Sequence, residues 1–309
     1  MTGPLADIAD GRARRQTARF TGALALATIA TLGIRLALAR QAHHPGHADD
    51  AFYYDVARSL TAGRGFEIDY IWHYLAPPPA VTHPANDYWL PFPSVVMAAS
   101  LRLLGDSVFA ALLPGVVIGV GLAPLLYWGA LGRGQSLLIA FSAALLALFE
   151  PTLLAVSFET NSTVYYTFLA TLTLLLASRR EACAWGMPVA GVTAGLASLC
   201  RQDGFLLLAV LVLLIGRAGG TWRARARQAL VTAGAYVATL APLLSSRAGR
   251  RTSSGGSRTS CSPSSGPPSP ISRGSTSRWA GSRRSPPWRS SWGRSARIAP
   301  PGGPASEPS

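Results

Sequence analysis

Residues 108–130 read VFAALLPGVVIGVGLAPLLYWGA, 23 consecutive positions without an acid, a base or an amide. At about 1.5 Å per residue, a helix of that length crosses the roughly 30 Å hydrocarbon core of a bilayer. The run lacks the strict alternation of a transmembrane β-strand, and only helices or closed barrels satisfy their backbone inside lipid. The fold class it predicts is all-α and polytopic. Working outward, further apolar runs at 19–39, 136–155, 162–178, 186–200, 203–216 and 228–245 bring the expectation to about seven transmembrane helices.

The arginines between these runs give the orientation. They cluster at 12–19 (Arg12, Arg14, Arg15, Arg19), 131–135 (Arg133), 178–182 (Arg179, Arg180) and 217–227 (Arg217, Arg223, Arg225, Arg227). With residues 1–18 as a cytoplasmic N-terminus, all four clusters fall on the cytoplasmic side, as the positive-inside rule requires. The short apolar stretch 91–104 opens with Pro91-Phe92-Pro93 and carries Arg102. If it spanned the membrane, the later basic loops would face outward, so it is read as an interfacial helix. Residues 40–107 then form one large external loop holding all five histidines. Residues 12–39 also resemble a signal peptide ending at Ala37-Leu38-Ala39, but Arg35 inside the apolar run favours a retained helix whose guanidinium snorkels to lipid phosphate.

Inside that loop, His47-Ala48-Asp49-Asp50-Ala51-Phe52-Tyr53-Tyr54 opens an amphipathic helix. Phe52, Val56 and Leu60 recur every fourth position, Asp50, Tyr54, Asp55 and Arg58 occupy the rest, and Gly63-Arg64-Gly65 supplies the stop. Asp49 and Asp50 read either as a helix cap with an acidic first turn or as a catalytic carboxylate pair at the membrane mouth. The run from His43 to Asp50 has side chains suited to a divalent metal ion, with His43 and His47 as candidate ligands, but its spacing matches no standard site. Cys183, Cys200 and Cys261 are too few and too scattered for a disulfide framework and read as packing residues.

The stretches AFYYDVARSLTAGRGF (51–66) and YWLPFPSVVMAASLRLLG (88–105), after one outward helix and an acidic pair, resemble the GT-C type integral-membrane glycosyltransferases. The likeness lies nearest the protein O-mannosyltransferase and aminoarabinose transferase relatives, that is, glycosyltransferase family 39. It spans about residues 19–245, the 19–245 domain being GT-C-like. The resemblance implies transfer of a sugar from a polyprenyl-phosphate donor to a glycan, lipid or protein acceptor at the outer face of the cytoplasmic membrane, with membrane lipids as the other partner. It carries the family's loop aspartate onto Asp49 and the following acidic residue onto Asp50. Arg201, in the short outer turn Cys200-Arg201-Gln202-Asp203-Gly204, takes the place of the family's basic residue, as a phosphate contact or paired with Asp203. Tyr88 and Trp89 stand at the aromatic-proline stretch lining the donor site, where Trp89 stacks on a sugar or anchors the interface. They replace the charged residues that some relatives carry there, so no metal contact is borrowed at those positions, although some relatives use a metal. Glu150 and Glu159 flank the next outer turn. A polytopic transporter or flippase-like protein, with Arg35 and Arg201 lining a polar path, is the non-enzymatic alternative.

The net charge of +14 is unevenly spread. The 17 Arg before residue 247 face 13 acids, whereas the 11 Arg from Arg247 onward face Glu307 alone. Most of the excess therefore lies in the tail, and nucleic acid is not an expected partner of the body. Residues 246–309 are dominated by Arg, Ser, Pro and Gly and cannot form a core. They read as a disordered basic tail, or as the product of a frameshift in a GC-rich gene, which the absence of lysine favours; the enzyme would then be truncated and of uncertain activity.

Overall fold

The computed structural model describes residues 4–70, 81–85, 89–179 and 185–254. The chain divides into a unit of Met1–Ser257 and one of Arg258–Ser309, and the described residues all belong to the first. His73, Tyr88, Arg180, Cys183, Cys261 and the tail from residue 255 lie outside the described residues.

In chain order the elements are helix α1 (Pro4–Ala39), α2 (Ala48–Thr61), strands β1 (Glu67–Ile68) and β2 (His83–Pro84), α3 (Phe92–Leu104), α4 (Val108–Leu131), α5 (Leu137–Phe149), α6 (Pro151–Val156), α7 (Thr163–Ser178), α8 (Gly186–Ser198), a 3-10 turn at Gln202–Gly204, α9 (Phe205–Gly216) and α10 (Trp222–Ser254). The protein is mostly helical and membrane-embedded. Among the described residues two stretches, Arg14–Ala39 and Val108–Leu131, are long and apolar enough to cross a bilayer; α3, α5, α7 and the segment Gln202–Gly216 are apolar but shorter. The expected span 136–155 is two helices, because Pro151 cannot continue the α5 ladder and holds Glu150 extended at ψ 123°. Glu150 then caps α6, its carboxylate accepting from the Leu153 N–H at 2.5 Å. At the two ends the helices outrun expectation: α1 continues into the segment 1–18, and α10 continues past residue 246 to Ser254.

The external loop is more structured than a surface strap. Helix α2 stops where the sequence places it, with Gly63 and Gly65 at positive φ of 77° and 85°. Its buried side is broader than the predicted stripe, since Tyr53, Ala57 and Ser59 join Phe52 and Val56. That side packs on α3, and α3 in turn on α4. Strands β1 and β2, absent from an all-α expectation, pair antiparallel with Glu67 opposite Pro84 and Ile68 opposite His83.

Arg35 departs from its expected place. It is 1% exposed, so it does not snorkel to lipid but turns into the bundle. Farther along, Gly191 and Gly195 of α8 form a G-x-x-x-G pair facing α10. A Cβ at Gly191 would overlap the Thr232 carbonyl, and one at Gly195 would lie 2.7 Å from Thr239 Cβ. Small residues at this spacing let two membrane helices approach backbone to backbone. Gly191→Ala is expected to cost about 1–3 kcal/mol of overpacking, read as a lower thermal unfolding midpoint in detergent. Gly216→Ala, where a Cβ meets nothing within 4 Å, serves as the control.

Candidate active site

The acidic pair opens α2, and consecutive positions on a helix diverge by about 100°. The two carboxylates accordingly part company. Asp49 is half-buried, whereas Asp50 is 1% exposed, contrary to its expected place on the polar side. Asp50 turns back to accept the backbone N–H of the cap residue His47 at 2.7 Å. Gly46, at φ 122°, leaves room for this, since a Cβ there would overlap Asp50 Oδ2. The cap reading thus holds for Asp50.

A second segment closes over the pair. Thr160 Oγ1 donates to the Asp50 carbonyl at 2.7 Å and lies 3.3 Å from the Pro45 carbonyl. Asn161 donates to the Glu159 carboxylate, and its Oδ1 accepts from the Thr163 N–H at 2.8 Å. Burial pushes the Asp50 carboxyl above its ordinary range; the His47 N–H opposes this, the Glu159 charge adds to it and the Asn161 amide opposes it. The like charge acting on Asp50 is therefore Glu159, not its sequence neighbour Asp49.

A carboxyl raised on folding contributes stability that is complete below its unfolded value, near 3.8, and is lost as pH rises through the folded value. Asp50→Asn keeps a cap of similar shape and removes that titration. As pH rises from about 4, its thermal midpoint is therefore expected to decline less than that of the wild type. Parallel curves would contradict the assignment.

Beside this lies a cavity of about 460 Å³ walled by Trp89, Ser162, Arg201, Asp203 and Phe205, with Cys200 and Gln202. Trp89 packs between the site's elements, its ring centroid 6.0 Å from Tyr53 and 6.4 Å from Phe52. Arg201 Nε donates to Asp203 Oδ1 at 3.2 Å, and the guanidinium lies 5.9 Å from the Tyr166 ring centroid. The pairing is exposed, with side chains 44% and 46% accessible, so it leaves the cation free to meet an anion. Asp49 does not line the cavity. It does act, with Arg201, on the Tyr53 hydroxyl, which faces Ser162 and is pushed up to about 12, chiefly by burial.

The structure therefore gathers Trp89 and Arg201 around one cavity and packs Phe52 and Tyr53 of α2, the helix that carries Asp49, against Trp89. Glu159 joins the acidic pair, whereas Glu150 only caps α6. Ser162, Thr160 and Asn161 carry no motif of their own in the sequence; the available signal is the polar run Ser157-Phe158-Glu159-Thr160-Asn161-Ser162-Thr163 between apolar segments. His43 and His47 are exposed, and the described residues contain no group of three or more His, Cys, Asp or Glu placed to hold a metal ion. With Asp50 turned to a backbone N–H, the His43–Asp50 run does not fit a metal.

The family described as dolichyl-phosphate-mannose-protein mannosyltransferase matches residues 82–245. That region includes Trp89, Ser162 and Arg201 and begins after the acidic pair. No curated protein and no solved structure matches the chain. The matched region covers more than half of the 309 residues, and this chain belongs to the dolichyl-phosphate-mannose-protein mannosyltransferase family, membrane glycosyltransferases of the GT-C type.

Proposed function

We propose that the protein transfers a hexose, mannose by its family's name, from a polyprenyl phosphate to an acceptor at the outer face of the cytoplasmic membrane. The observation that carries this reading is the cavity shared by Trp89 and Arg201, polar at Arg201 and Asp203 and bounded by Phe205, which is 59% exposed at the start of apolar α9. A phosphate joined to a prenyl chain has the same division: an anion for Arg201 and a hydrocarbon tail for the lipid-facing side of α9. Trp89 offers a face to the sugar.

In the reaction, the acceptor nucleophile bonds to the anomeric carbon as the bond from that carbon to the phosphate oxygen breaks. Asp49 accepts the acceptor's proton, and the leaving phosphate keeps the bond's electron pair. Arg201 neutralises the charge that grows on that phosphate. Asp50, buried and capping, holds the helix that presents Asp49.

Right-side-out and inside-out membrane vesicles given a short-chain polyprenyl-phosphate mannose test both chemistry and sidedness. Labelled product is expected only where the donor meets the outer face. Label crossing the membrane still attached to its lipid would favour the transporter reading, which the enclosure of Arg35 already disfavours.

A further inference from the structure

Arg35 is the largest fully buried side chain of the described structure. Nη2 donates to the Leu148 carbonyl at 2.7 Å, in the last turn of α5 where carbonyls lack helical partners. Nη1 donates to Ser157 Oγ at 3.1 Å, while that hydroxyl gives its own proton to the Leu153 carbonyl at 2.5 Å. Nε finds no partner, and among the described residues no carboxylate lies within 4.0 Å. Space for the contact comes from Gly119 of α4, where a Cβ would overlap Ser157 Oγ and come within 3.4 Å of Arg35 Nη1.

A buried cation without a counter-ion is expensive inside a membrane domain, and an apolar side chain would fill the same volume at less cost. What the cation reaches is informative. Ser157 begins the turn whose next residues are Glu159, whose charge acts on Asp50, Thr160, bonded to the Asp50 carbonyl, and Ser162, in the cavity wall. The turn continues from the short helix α6, where the Ser157, Phe158 and Glu159 N–H groups still bond back to the Leu153, Ala155 and Val156 carbonyls, and from Thr160 onward side chains take over the fixing.

We propose that Arg35 is a positioning residue: from within the bundle it fixes the turn Ser157–Ser162, and that turn holds the acidic helix start against the donor cavity. This rests on the proposed roles of Asp49 as base and Arg201 as phosphate contact. Arg35 touches no substrate and acts only through the turn.

The test compares full-length wild type, Arg35→Met, Arg35→Lys and Ser157→Ala in lipid nanodiscs. Arg35→Met and Ser157→Ala are expected to speed amide hydrogen exchange in peptides covering 157–162 and 45–51 by about tenfold or more, the loss of a charged hydrogen bond, with exchange in α8 unchanged. With polyprenyl-phosphate mannose as donor, Arg35→Met is expected to lower kcat by about 10- to 100-fold at an unchanged donor KM, and Arg35→Lys to restore part of it. Unchanged exchange in both peptides overturns the proposal. So does faster exchange with wild-type kcat, or a Lys variant no better than Met. If wild type transfers no mannose at all, the function reading fails, and the exchange comparison still decides whether Arg35 fixes the turn.

Discussion

Asp49→Asn is expected to reduce mannosyl transfer by about 10²- to 10⁴-fold while leaving membrane abundance and thermal midpoint near wild type. The carboxamide has nearly the same volume and remains a weak hydrogen-bond acceptor, but it cannot take up the acceptor's proton. The helix start does not depend on this side chain, because the cap contact to His47 comes from Asp50. Asp50→Asn therefore provides the contrast, with its main effect on stability rather than on transfer. Initial rates in membranes normalised to protein amount read both. Near wild-type transfer by the Asp49 variant would remove the acidic pair from the chemistry.

Arg201→Ala comes next in size and acts on a different quantity. Its guanidinium is held beside the Tyr166 ring and Asp203 at the mouth of the cavity, poised for a phosphate. A hydrogen bond to a charged group contributes about 1.5–3 kcal/mol, so the donor KM should rise about 10- to 100-fold. Arg201→Lys should recover only part of this, since an ammonium lacks the planar fork that meets two phosphate oxygens. A donor titration at saturating acceptor separates KM from kcat. An unchanged KM would leave the arginine as a surface partner of Asp203.

How far the residues announce this arrangement depends on the range of the forces involved. Helix α2 and its stop are legible because periodicity and glycine are local signals. The likeness to a glycosyltransferase rests on chemistry-bearing stretches, and the family match over 82–245 supports it. That Asp50 is the buried member of the pair is not legible, since its surroundings are set by Gly46 beside its carboxylate and by Thr160, more than a hundred positions away, at its backbone carbonyl. Arg35 defeats a sequence reading for a related reason. A run of apolar neighbours says that a cation must reach something polar, and lipid phosphate is the default answer. Here the partners are Leu148 and Ser157, which only tertiary packing brings near. The expected span at 136–155 is too long because hydropathy is averaged across a window and is blind to the one proline that ends the ladder.

That proline also bears on how the chain is made. A helix of 13 residues such as α5 reaches about 20 Å, short of the roughly 30 Å apolar slab of a bilayer. Emerging from the ribosome by itself, it has too little greasy length to leave an insertion channel sideways and stay in lipid. Helix α4, with 24 residues, has enough, and α5 lies packed along it. Entry of α5 into lipid is therefore expected only as a hairpin with α4, the longer arm carrying the shorter one, and a chain lacking α4 is expected to leave α5 outside the bilayer.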